Sequence, residues 1–215
     1  IVSMRFVGEP FIFSFTEVAE GQSLIAPNAA VSANNRVYFM DTGGFYVYSG
    51  SAEKLPCTVL DYVLSDLNLG QSFKIFAAVN NIANEVMWFY PSGTNTEIDK
   101  YVLYNYLENV WSIGTTDDGF TRTAWDEASL LEYPIAASKN DSSNLNYVYN
   151  HEKGHGNDGS NFTAYIESSD FDLEPDGDKF TFISKLIPDI QFRNQQSTSD
   201  SVTFTFWVYI QTGGR

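Results

Sequence analysis

Arg36-Val37-Tyr38-Phe39-Met40, followed by Gly43-Gly44, Phe45-Tyr46-Val47-Tyr48 and Ser49-Gly50, is the stretch that decides the fold. Two short runs of β-branched and aromatic residues joined by a glycine turn read as a β-hairpin. The arrangement recurs downstream. Glu85-Val86-Met87-Trp88-Phe89-Tyr90 breaks at Pro91-Ser92-Gly93, the segment from Asp99 to Tyr106 returns, and Trp111-Ser112-Ile113-Gly114 follows. A third copy runs through Asn146-Tyr147-Val148-Tyr149, a polar glycine-rich connection, and Phe162-Thr163-Ala164-Tyr165-Ile166-Glu167.

A short strand of small residues precedes each hairpin: Asn28 to Ala33, Phe76 to Asn80, and Pro134 to Ser138. The second begins about 50 residues after the first, and the third nearly 60 after that. Repeats of this length, each a small meander of strands, are the mark of propeller blades. Alanine and serine on the first strand suit a crowded axis, and the aromatics fill the wider space between blades. The expectation is therefore an all-β fold of β-propeller-like repeated antiparallel meanders, a partial propeller or sector, taken as a single domain over residues 1–215. An ordinary β-sandwich is the alternative. About three blades are visible where rings carry four to eight, so further chain or further copies would be needed to close one. The opening Ile1-Val2-Ser3-Met4-Arg5 is neither a signal peptide nor an ordinary start, and the chain reads as a fragment of a longer protein.

One segment departs from period two. From Thr58 to Leu67 the apolar residues fall at 59, 60, 63, 64 and 67, which is helical spacing. Thr58 with Asp61 reads as a variant capping box and Gly70 as the stop, giving one short helix near 58–67. At the other end, Lys179 to Ile183 and Ser201 to Ile210 read as strands. The second alternates Ser/Thr with apolar residues through Phe206.

The charge excludes some functions. With 12 Lys and Arg against 27 Asp and Glu, the 215 residues carry a net charge of −15, and the cations are scattered singly. Such a chain repels polyphosphates and anionic lipid, so neither specific nucleic-acid binding nor membrane association is expected. The single cysteine, Cys57, excludes an internal disulfide and reads as a packed thiol near a helix start. No apolar run reaches the length of a membrane helix.

His151-Glu152-Lys153-Gly154-His155 matches H-E-x-x-H letter for letter. In zinc proteases the spacing works because a helix places both imidazoles on one face and the Glu activates the bound water. Here a strand precedes the letters, Gly154 lies within them and Gly156-Asn157-Asp158-Gly159 follows, so they read as a hairpin tip. Thr115-Thr116-Asp117-Asp118-Gly119-Phe120-Thr121-Arg122 resembles the Asp-box of sialidase-type propellers, with Arg122 where Trp is expected. The motif is a turn device. Asp170 to Asp178 begins like a calcium loop but has Ile183 where the last ligand should be. The sequons at Asn140 and Asn161 carry no weight alone. The reading is of a non-enzyme with no cofactor, metal or catalytic residue.

The middle of the chain resembles a known family. Leu55-Pro56-Cys57, Asp61-Tyr62-Val63, Asp66-Leu67-Asn68, Asn80, the run from Trp88 to Trp111, Arg122-Thr123-Ala124-Trp125 and Pro134-Ile135-Ala136-Ala137 look like the tail nozzle, or packaged-DNA stabilisation, proteins of short-tailed phages. The likeness spans roughly residues 25–190. It implies a virion structural protein of the tail with a propeller-like fold, set in a homo-oligomeric ring around the DNA exit channel beside portal and other tail proteins. It implies no catalytic residues. Members of that family are much longer than this chain. A surface of charge −15 is compatible, since a channel must not grip the polyanion it passes. A carbohydrate- or receptor-binding propeller, with Trp88, Tyr90 and Trp125 stacking on sugars, is the alternative. A zinc hydrolase using His151, Glu152 and His155 ranks third.

Overall fold

The computed structural model describes residues 1–17, 20–116, 122–127, 132–139, 146–154, 156–157, 160–161, 184–185, 187 and 202–206. The chain packs as two units, Ile1–Phe162 and Thr163–Arg215. The first is mostly β, in antiparallel sheets.

It opens with a hairpin of β1 (Val2–Phe6) and β2 (Phe13–Glu17). A four-stranded meander follows: β3 (Ala30–Ala33), β4 (Arg36–Asp41), β5 (Gly44–Tyr48) and β6 (Ala52–Lys54). Helix α1 (Leu60–Asp66) and a 3-10 turn at Leu69–Lys74 lead into a second meander. This comprises β7 (Phe76–Asn80), β8 (Glu85–Tyr90), β9 (Lys100–Asn105) and β10 (Val110–Thr115). A third sheet holds β11 (Ala124–Asp126), β12 (Ile135–Lys139) and β13 (Asn146–Asn150), and a minimal ladder pairs β14 (Gly156–Asn157) with β15 (Ser160–Asn161).

The turns show why each meander folds back. β3 and β4 are joined by Asn34-Asn35, both left-handed at φ +48° and +59°. Two residues at positive φ make the type I′ turn whose twist matches that of paired strands, and asparagine tolerates that region. The next turn is Thr42-Gly43 rather than Gly43-Gly44, because Asp41 pairs with Gly44. The buried Asp41 carboxylate accepts hydrogen bonds from the Thr42 amide (2.6 Å), the Thr42 hydroxyl (3.1 Å) and the Ser23 hydroxyl (3.2 Å). Between β9 and β10, Asn105 Oδ1 accepts from the amides of Leu107 and Glu108, an Asx-type turn.

Successive sheets meet along their first strands. Asn28 forms a parallel bridge with Phe76, and its carbonyl accepts from the Ala77 amide at 2.7 Å. β8 is buried on both sides. Val86, Trp88 and Tyr90 pack with Tyr38, Met40 and Phe45 of the first meander, whereas Met87 and Phe89 pack with Ala78, Ile98 and, at the edge, Trp125 of the third sheet. An interior sheet has no wet face, so its central strand is apolar at consecutive positions. Three indoles fasten the layers: Trp88 donates to the Ala29 carbonyl (3.2 Å), Trp111 to that of Pro56 (2.8 Å) and Trp125 to that of Val79 (3.0 Å).

The helix lies where its periodicity places it, but its ends differ from expectation. Val59 is the N-cap and no side chain caps it, so Thr58 and Asp61 form no capping box. The helix ends at an extended Leu67, and Gly70 instead opens the 3-10 turn, its amide donating to Asn68 Oδ1 at 3.1 Å. Sequence reading named none of the strands β1, β2, β6, β11, β14 and β15. The expected strands Phe162 to Glu167 and Lys179 to Ile183 lie outside the described residues. So does most of Ser201 to Ile210; its described part, 202–206, joins no ladder and is exposed. No closed barrel or ring of sheets is formed among the described residues.

Candidate functional site

The H-E-x-x-H letters mark a cluster of polar and aromatic groups, although not through zinc geometry. The residues 151–154 form a bend after β13, with Glu152 at φ +58° and Gly154 at φ +79°, so no helix aligns the side chains. His155 lies outside the described residues. The bend is held because the His151 amide donates to the Pro134 carbonyl at 2.7 Å.

From that position the His151 ring packs on Trp125, centroids 4.6 Å apart, and its Nε2 accepts from Arg122 Nε at 2.9 Å. The Arg122 guanidinium also lies over the Tyr149 ring at 4.8 Å. Burial, then the adjacent Arg122 charge, lowers the imidazole pKa to about 4. His151 is thus neutral at pH 7 and its Nε2 lone pair is engaged by arginine.

Glu152 faces the second meander. Asn80, almost fully buried at the end of β7, donates from Nδ2 to Glu152 Oε1 at 3.4 Å, and its Oδ1 is unpaired. Glu85, at the start of β8, is pushed up by burial and then by the Glu152 charge, against a lowering bond from Asn80. Tyr101 is raised by burial and then by the same two carboxylates. The Asn80–Glu152 hydrogen bond ties the second sheet to the bend that follows the third. Among the described residues, no three His, Cys, Asp or Glu side chains are grouped so as to hold a metal ion.

A second polar group sits where α1 meets β9. Lys100 Nζ bonds Asp66 Oδ2 at 2.7 Å and the Tyr62 hydroxyl at 3.1 Å, and these two bonds raise its pKa. Its register partner Tyr90 is fully buried, with an unpaired hydroxyl whose pKa is raised by that burial and by nearby Asp66. Asp99 organises the loop before Lys100, accepting from the Ser92 amide and hydroxyl and from Asn95. These are ties between a helix, a loop and a strand.

The sugar-stacking set is dispersed by burial. Trp88 and Tyr90 are at 0 % exposure, and Trp125 is half-buried under His151 with its N–H engaged. Tyr104 and Trp111 are core as well. Cys57 is half-buried and its thiol is pushed up by burial, against a lesser lowering bond from Val59. The centre of the Asp-box-like stretch, residues 117–121, the Asp170 to Asp178 segment and the sequon at Asn140 lie outside the described residues, as do residues 162 and 163 of the second sequon. The Asn80–Glu152 link and the Arg122–His151 bond escaped sequence reading, because both join residues far apart in the chain and no local spacing announces them.

No protein-family model matches the chain, and no curated protein matches it.

Proposed function

We propose that this chain is a non-enzymatic structural subunit of a short-tailed phage tail, of the nozzle or DNA-stabilisation type, built as a propeller-like sector that lines or seals the DNA exit channel. The observation that carries the reading is the repeat. Two consecutive four-stranded meanders stack with their small-residue first strands side by side, and a third sheet continues the series. Propeller blades are four-stranded meanders of this kind, which supports the reading. The resemblance in the Trp88 to Trp111 run points to the tail proteins, and the net charge of −15 suits a wall that lets DNA slide. The polar clusters are consistent with a scaffold: they tie sheets and loops together.

In this reading the partners are further copies in a ring and neighbouring portal and tail proteins. DNA passes without specific binding, no membrane is involved, and the chain resides in the virion. Mass spectrometry of phage particles purified from an induced lysate of the source tests it. Peptides of this chain should co-purify with capsid and portal proteins at a fixed stoichiometry. Their absence from particles that contain those proteins would refute it.

A further inference from the structure

The hairpin of β1 and β2 has two unlike faces. Register pairs Val2 with Glu17, Met4 with Phe15 and Phe6 with Phe13, so Val2, Met4, Phe6, Phe13 and Phe15 share one side, with Glu17 at its open end, while Ser3, Arg5, Ser14 and Thr16 share the other. The apolar side is bare: Phe6 is 68 % exposed, Phe13 49 % and Phe15 68 %, and Phe11 at the tip is 76 % exposed. Phe6 and Phe13 meet edge to face at 6.0 Å, a continuous aromatic surface. A two-stranded hairpin alone in water is marginal, and contiguous apolar surface of this kind marks an interaction site.

We infer that this face is a contact between two copies of the chain, packed face to face about a two-fold axis. Area is the first argument. At roughly 150–250 Å² per aromatic side chain, the exposed fractions of the four phenylalanines leave about 400–650 Å² bare. Two copies then bury about 800–1,300 Å² from phenylalanine alone, and Val2 and Met4 bring the total into the range of a stable interface, about 1,600 Å². Charge is the second argument. Residues 1–17 contain one cation, Arg5, and two anions, Glu9 and Glu17, a net charge of −1, so −14 of the net −15 resides on the rest of the chain. Copies that repel elsewhere meet little charge here: the one charged side chain on this face, Glu17, stands opposite Val2 at its open end, where an isologous contact leaves it at the solvent-exposed rim. The same acidity disfavours an anionic lipid surface as the occupant. This contact does not depend on the phage reading: self-association is measured on the purified chain, and virion peptides on particles.

Sedimentation velocity from 1 to 100 μM provides the test, with the whole chain, a Phe6→Ser/Phe15→Ser variant and an Arg5→Ser/Thr16→Ser variant of the opposite face. The unaltered chain should move from 24.1 kDa toward twice that mass as concentration rises. The phenylalanine variant should remain monomeric, its association weakened about a hundredfold at roughly tenfold per anchor residue, with an unchanged far-UV spectrum and urea midpoint because neither residue belongs to the core. The opposite-face variant should associate as the parent does. A parent that stays at 24.1 kDa throughout, association untouched by the phenylalanine changes, or a monomer that instead floats with phosphatidylcholine vesicles would each overturn the inference.

Discussion

Replacing Trp88 separates packing from hydrogen bonding at the centre of the fold. The indole is at 0 % exposure, 4.8 Å from the Phe45 ring and 6.2 Å from that of Trp111, and its N–H reaches the Ala29 carbonyl. Trp88→Ala removes a fully buried aromatic at a cost of about 3–5 kcal/mol. The lost ring pairs add about 0.5–1.5 kcal/mol each. That approaches the whole stability of an ordinary domain, about 5–15 kcal/mol. Trp88→Phe keeps most of the ring volume and loses the donor. The Ala29 carbonyl also accepts from the Met40 amide at 3.0 Å, so it is not orphaned. The cost should therefore stay near the worth of one hydrogen bond plus a small void, about 1–2 kcal/mol. Urea unfolding followed by far-UV circular dichroism, with m unchanged, measures both. Equal losses for the two variants would show that the hydrogen bond, not burial, dominates. A loss under about 1 kcal/mol for Trp88→Ala would refute the packing of the first meander on the second.

His151 should titrate near pH 4 by proton NMR, well below the ordinary histidine value. Because its folded pKa lies below the unfolded one, the unfolded chain takes up the proton first. The His151 contribution to stability is complete above about pH 6.5 and falls as pH drops toward 4, a slope that His151→Gln should flatten. A His151 resonance titrating above pH 6 would contradict the Arg122 contact. Gly114 lies opposite Tyr101 in the β9–β10 ladder, and a Cβ there would run into the Tyr101 ring. Gly114→Ala should cost about 1–3 kcal/mol by displacing that ring, and a neutral result in a thermal melt would mean the ring is free to move aside.

The meanders were legible because their signals are local. Period two, aromatic content and turn residues fix β4, β5, β8 and β9 within a residue or two, and the spacing from Val59 to Leu67 locates α1. What escaped was set by tertiary contact. β6 is three residues long and strand only because it pairs with β5. The double burial of β8 depends on a neighbouring sheet on each side, which a single strand does not announce. At the His151 bend, local composition correctly denied a helix, but it could not reveal that Arg122, 29 residues earlier, would engage the imidazole. Trp88, Tyr90, Tyr104 and Trp111 read as core from their place on strands, with sugar stacking as the alternative because aromatic residues serve both, and their burial decides for core.

Among the described residues, the indole bonds all point one way along the chain. Trp88 reaches back 59 residues, Trp111 55 and Trp125 46, each to a backbone carbonyl already laid down. A chain emerging from the ribosome amino end first would meet each acceptor before its donor, so every new sheet can latch onto a finished one without waiting for sequence still to come. Growth by this rule is vectorial. Clipping from the carboxyl end should remove latches in reverse order and leave the earlier layers closed, whereas losing the first meander would strand Trp88 and Trp111 without their acceptors.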